Sequence, residues 1–140
     1  MKQTSISILI GFLCISCDPV YRAEIQNQTD QQILIEVAFD RQELEKSWGG
    51  RPYLPFIRSY PNDGSVDNAI LFDTVNLINT YRISPGSSFP LETGIGHHPD
   101  YGLFKSLRII YGDTLSYRNR EEIAGAFRNI ENRHWVTIVK

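Results

Sequence analysis

The chain has 140 residues and a formal net charge of −2, with 21% charged and 11% aromatic residues. That composition suits one folded domain able to bury a core without disulfides or metal, and it excludes an intrinsically disordered chain. So small a net charge gives no global reason to expect a nucleic-acid partner. The charge is unevenly spread: residues 17–100 hold six basic and twelve acidic side chains, residues 101–140 seven basic and four acidic. Two readings follow, strands from both parts interleaving so that the charges mix, or a basic edge facing an acidic partner or lipid headgroups.

The chain opens with Lys2 and a ten-residue apolar run, ISILIGFLCI (6–15), followed by Ser16, Cys17, Asp18 and Pro19. A spanning helix needs about twenty apolar residues, so this run is too short to remain as a membrane anchor. Cys17 behind small Ser16 resembles the end of a bacterial lipoprotein signal peptide, although Cys14 stands where leucine is usual and Leu13 lies one step further out. The resemblance implies a thioether-linked diacylglycerol on Cys17 and cleavage before it, giving a signal peptide at 1–16 and a mature domain at 17–140. One acyl chain binds a membrane only reversibly, whereas two or three hold it there. Cys14 would leave with the leader, so no disulfide could form. A redox use of the pair would need C-x-x-C beside a βαβ pattern, whereas here an apolar leader precedes it and strand-like sequence follows. Strand-like sequence begins at about Val20 with no tether, which places the domain close to the membrane surface.

VYRAEIQNQ (20–28) predicts a first strand. QQILIEVAFD (31–40) predicts a second, with Ile33, Ile35, Val37 and Phe39 on one face, and the two are expected to pair as a hairpin. RQELEKSW (41–48) predicts one or two helical turns stopped by Gly49 and Gly50. Pro52 and Pro55 exclude a central strand, and Pro61–Gly64 marks a turn. AILF (69–72) and VNLINTYRI (75–83) read as strands, the latter with Val75, Leu77, Asn79, Tyr81 and Ile83 on one face. FPLE (89–92) reads as a short edge segment and TGIGHHPDYG (93–102) as a glycine-rich loop. LFKSLRIIY (103–111), Gly112–Asp113 and TLSYR (114–118) predict a hairpin. Residues 119–133 predict a short helix or an irregular crossover, and HWVTIV (134–139) a closing strand. Seven or eight short strands between turn signals predict an all-β fold, an antiparallel β-sandwich of immunoglobulin- or transthyretin-like type, or a small barrel.

The layout of CDP, strand, N-x-T, strand, then ISPGS, a YGDT hairpin and a final WVTI strand resembles small Bacteroidota-type lipoproteins with a β-sandwich domain. The resemblance implies an envelope location. It carries over no activity and no site residues.

Candidate chemistry is sparse. His97, His98 and Asp100 form the one metal-like cluster, with His134 the remaining histidine; a stable site needs three or four ligands, and a polar loop shaped by Pro99 and Gly102 is the plainer reading. No catalytic residues, cofactor or metal site are expected. Glu43 with Glu45, and Glu121 with Glu122, are adjacent carboxylates of the kind usually solvated, and general acid–base work needs two that converge on a cleft. No nucleophile elbow, zincin or P-loop pattern is present, and Gly94–Gly96 lacks a phosphate-loop context. Asn27-Gln28-Thr29 matches N-x-T, a signal meaningful mainly in eukaryotic secretion. Asp73-Thr74-Val75 and Asp113-Thr114-Leu115 resemble the acceptor of Bacteroidota-type O-glycosylation at Thr74 and Thr114; Asp-Thr also simply starts a strand after a turn. Trp48, Tyr53, Phe56 and Tyr60 crowd one irregular segment, either as a satellite core under a loop or as a binding surface.

These readings lead to a lipid-anchored protein of the bacterial cell envelope, at the outer membrane rather than the inner, although Asp18 resembles an inner-membrane retention signal of some bacteria. Its expected partners are the membrane, through the acyl chains on Cys17, and an envelope protein, for which it would be a non-catalytic interaction or structural module. A carbohydrate- or ligand-binding role is the alternative, and a hydrolase comes third.

Overall fold

A computed structural model describes residues 19–61 and 69–140. Cys17, its leader and the Asn62–Gly64 part of the expected turn lie outside the described residues. Nine strands and three helices occur among the described residues, in the order β1 (Val20–Asn27), β2 (Ile33–Phe39), α1 (Arg41–Trp48), α2 (Leu54–Ser59), β3 (Leu71–Asp73), β4 (Ile78–Ile83), β5 (Ser88–Ile95), β6 (Phe104–Tyr111), β7 (Asp113–Tyr117), α3 (Arg120–Ala126), β8 (Arg128–Glu131) and β9 (His134–Val139). They build a β-sandwich. One sheet runs β5-β1-β9-β8 and the other β3-β4-β2-β6-β7.

The alternating face expected of the second strand is the centre of the core. Ile33, Ile35 and Val37 are fully buried and Phe39 nearly so, because β2 lies between β4 and β6. The β6–β7 hairpin forms as expected, Tyr111 opposite Asp113 around Gly112. Helix α1 also forms as expected. Asp40 caps it by accepting from the backbone N–H groups of Gln42 (2.9 Å) and Glu43 (3.2 Å), and Gly49 ends it at φ 57°, a conformation glycine adopts without cost.

Several expectations are corrected. The first two strands do not pair as a hairpin; they belong to opposite sheets. Each has one apolar face, and the two faces meet across the core instead of lying side by side. Asn27 makes the crossing: its buried Nδ2 donates to Gln31 O (2.8 Å) and Ile83 O (3.1 Å), while Oδ1 accepts from Thr29 N (3.1 Å) and Thr29 Oγ1 (2.7 Å). The N-x-T triplet is thus a turn device with its amide inside the protein. The sandwich is also not purely antiparallel, since β9 lies parallel to β1.

The strand expected from residue 75 begins at Ile78. Asp73 folds residues 73–76 into a turn by accepting from Val75 N (2.9 Å) and Asn76 N (3.0 Å), and hydrogen bonds from Asn76 hold its carboxyl below the ordinary range. Val75 is therefore 77% exposed, while Leu77, Asn79, Tyr81 and Ile83 are buried as predicted. Strand β5 is longer than FPLE and takes Thr93–Ile95 out of the expected loop. It tolerates Pro90 because it is an edge strand, paired only with β1. The apolar run after Pro55 is helix α2, with proline in its first turn where no N–H is needed. Residues 119–133 resolve into α3, capped by Asn119, and the short edge strand β8.

Chain parts of opposite charge do interleave. Glu36 of β2 and Arg108 of β6 are register partners, and their side chains meet at 2.5 Å.

Candidate functional site

Helices α1 and α2 bring three of the four aromatic residues of segment 48–60 onto one wall. Leu44 and Ile57 are fully buried and seat the two helices on the sandwich. The Trp48 ring then lies 4.7 Å from Phe56, Phe56 5.7 Å from Tyr60, and Tyr60 5.2 Å from Phe39 and 5.9 Å from Phe104. Their inner edges extend the core. Their outer surfaces line an open groove of about 650 Å³, whose opposite wall includes Tyr21, Pro90, Glu92, Thr93 and Leu103. Tyr53 is not on this wall; its hydroxyl accepts from Arg41 at 2.8 Å. The inner edges of these rings thus serve the core, while their outer edges line the groove.

The opposite wall is held by one carboxylate. Glu92 accepts from the Tyr21 hydroxyl (2.6 Å), from Asp100 N (3.1 Å) and from Tyr101 N (2.8 Å). It ties the start of β1 to the loop 96–103. Burial first, and then the bond to Glu92, push the Tyr21 phenol well above its ordinary range. Asp100 is engaged as well: it pairs with the Arg120 guanidinium, and its carbonyl accepts from Arg120 Nε at 2.7 Å. The Tyr21 ring covers Gly94 so closely that a Cβ there would lie 2.5 Å from Tyr21 Oη. Gly94→Ala is therefore expected to push Tyr21 off Glu92 and to cost about 1–3 kcal/mol, the usual range for overpacking. A denaturant titration checks this, and a midpoint like that of the unmodified protein would show that the ring yields freely.

Beside the apolar groove, sharing Glu43, Asp100, Gly102 and Phe104 with it, lies a polar depression of about 630 Å³. Lys46, Lys105, Arg118 and Arg120 give it cations, and Asp40, Glu43, Asp100 and Glu121 give it anions. Lys46 pairs with Glu43 at 3.5 Å. An occupant of the main groove would meet aromatic faces at one end and mixed charge at the other.

The other candidates from sequence do not converge here. His97 and His98 are exposed, and His98 Nδ1 lies 3.2 Å from Pro99 O. Asp100 turns to Arg120 and not to a histidine. His134 sits on the β1–β9 pair, 3.2 Å from Glu24, a buried carboxylate that also holds Arg22 (2.8 Å) and Gln26 (2.8 Å). Among the described residues no group of three or more His, Cys, Asp or Glu side chains is placed to hold a metal. Glu43 reaches the groove while Glu45 stays exposed. Glu122 is engaged at the start of α3, its carboxylate accepting from Arg118 N at 2.8 Å and its own N–H donating to the Asn119 cap at 2.9 Å. Thr74, in the turn after β3, and Thr114, in β7, are both exposed.

Tyr21, Glu92, Leu103 and Phe104 are groove residues that sequence reasoning missed. Nothing local marks them, for each looks like an ordinary strand or loop residue. No helix among the described residues is long and apolar enough to cross a membrane. No protein-family model, curated protein or solved structure matches the chain.

Proposed function

We propose that this chain is a lipid-anchored, non-catalytic recognition module of a bacterial cell envelope, held by acyl chains on Cys17 and binding a protein partner through the groove between α1–α2 and β1–β5. The observation that carries the recognition role is the groove itself: Trp48, Phe56 and Tyr60 keep one edge open beside Tyr21. Half-buried aromatic rings with an open edge are what protein interfaces enrich. The groove's three lining carboxylates all have partners, which supports binding more than chemistry: Glu92 accepts three hydrogen bonds, Asp100 is paired with Arg120, and Glu43 meets Lys46 at 3.5 Å. General acid–base work needs a carboxyl free to exchange its proton with a substrate.

The anchor rests on the apolar leader and the Ser16-Cys17 junction. Its test is the intact mass of the mature protein from the membrane fraction, beside Cys17→Ala. The expected product starts at Cys17, carries the mass of its acyl chains, and leaves the membrane fraction on substitution. A chain starting elsewhere, or unaltered in its fractionation by Cys17→Ala, would sink the anchor. Added hexose mass would direct attention to Thr74 and Thr114.

The groove is tested by photo-crosslinkers at Ser47 and Thr93, exposed residues on its two walls, with Asp30 at the opposite end of β1 as the control. One protein captured from both walls and not from Asp30 is the expected result. Equal capture at all three positions, or none at either wall, would defeat the protein-partner reading. A carbohydrate is the second reading, favoured by Trp48 and Tyr60 lining a concave surface beside Glu43. Retention on glycan without protein adducts would select it.

A further inference from the structure

Val20 and Ile95 face each other in the register of β1 and β5, at the end of the sheet where the described chain begins. Directly opposed residues of an antiparallel pair stand on the same face. Both side chains are out in solvent, 60% exposed for Val20 and 71% for Ile95. The same corner is pinned to the chain leading from Cys17, since Gly96 N donates to Pro19 O at 2.7 Å.

Covalent geometry then limits where this corner can go. Two Cα–Cα steps separate Cys17 from Pro19, so their Cα atoms are at most about 8 Å apart. The headgroup layer on each side of a bilayer is itself roughly 5–8 Å deep. A lipid on Cys17 therefore keeps Pro19 within about 8 Å and Val20 within about 12 Å of the anchored residue, close enough for this corner and the β5 end to reach the headgroups.

We propose that Val20 and Ile95 form an apolar wedge that enters the lipid surface beside the Cys17 anchor. The occupant of this patch is the bilayer. The inference rests on the anchor reading given above. It also orients the groove, because Tyr21 and Thr93, which line it, adjoin the wedge along β1 and β5. The Tyr21–Thr93 end of the groove then lies near the membrane surface, which favours a partner resident on or in that membrane. The opposite end of the sandwich, with the 28–32 connection, points away from the bilayer.

The chain's two cysteines make the test clean. With Cys14 removed with the leader and the Cys17 sulfur held in a thioether, a single introduced cysteine is the one free thiol. Val20→Cys, Ile95→Cys and Asp30→Cys are labelled with an environment-sensitive fluorophore, and the full acylated proteins are placed in phosphatidylethanolamine–phosphatidylglycerol vesicles. Nitroxide-bearing lipids are expected to dim the labels at 20 and 95 roughly twofold or more, as for groups seated at the headgroup–acyl boundary, and to leave the label at 30 unchanged. The intact mass of each sample is measured alongside. An acylated chain with 20 and 95 as bright as 30 would overturn the wedge and leave the anchor standing. Equal dimming at all three positions would overturn it too, by showing no preferred face. A chain without acyl mass would remove the anchor and the wedge with it.

Discussion

Glu92→Ala is expected to destabilise the domain by about 3 kcal/mol, since it strips a charged acceptor from three donors, and charge-assisted hydrogen bonds are the stronger kind. The donors are Tyr21 Oη, Asp100 N and Tyr101 N, and partial access of water keeps the loss below the sum of three separate bonds. For a domain of this size that corresponds to a fall in Tm of roughly 10 °C. Glu92→Gln should cost less, about 1 kcal/mol, because its one remaining oxygen still accepts while its amide nitrogen faces a donor. The substitution has a second readout at Tyr21. Burial and the bond to Glu92 raise that phenol in the fold, so its neutral form is the one folding favours. The stability it contributes is fully present below the unfolded phenol value of about 10 and is lost as pH rises above it. With Glu92 removed the burial effect remains and the carboxylate effect goes, so Tyr21 should form phenolate at a lower pH than in the unmodified protein, visible as ultraviolet absorbance. The groove should weaken in parallel, with crosslinking from Thr93 reduced. A Glu92→Ala protein that melts and titrates like the unmodified chain would show that the β1–loop tie is not what holds this wall.

Much of the sandwich was legible because its strands are half-buried and alternate. Ile33, Ile35, Val37 and Phe39 announce a core face, and Leu77, Asn79, Tyr81 and Ile83 do the same one sheet position away. The helix stop worked for the same local reason, Gly49 ending α1 as expected, while Asp40, which the sequence placed at the end of a strand, caps its start. What was not legible is which strand lies beside which. Period-two patterning places a residue inside or outside but is silent about backbone partners, so β1 and β2 read as a hairpin although Asn27 carries the chain from one sheet to the other. The groove falls between these cases. Trp48, Phe56 and Tyr60 were legible as a cluster because they are close in sequence. Their counterparts Tyr21, Glu92 and Phe104 lie on three other stretches and meet them only through the topology. Tyr53 shows the converse, since it shares the segment but turns to Arg41.

The near wall should depend on a latch inside the five-stranded sheet. Asn79, fully buried on β4, donates from Nδ2 to Ile57 O (2.6 Å) and to the Tyr81 hydroxyl (2.7 Å), and that hydroxyl donates onward to Tyr60 O (2.6 Å). The chain of bonds runs from the sheet to the end of α2, the helix that presents Phe56 and leads into Tyr60. Asn79→Ala removes two short buried bonds and leaves a void, and is expected to cost about 3 kcal/mol. Asn79→Leu fills the void and also removes Asn79 Oδ1, a buried acceptor with no hydrogen-bond partner among the described residues. It should therefore cost less, about 1 kcal/mol. Both substitutions should loosen α2 and lower crosslinking from Ser47, so the leucine variant separates the latch from bulk stability. Tyr81→Phe breaks the same chain one step further on, and the double substitution with Asn79→Ala should cost less than the two single costs added, because the Asn79–Tyr81 bond is counted in both. Simple additivity in that cycle, measured by urea unfolding, would mean the two side chains act separately and that packing of Ile57, not the polar chain, sets the position of the groove wall.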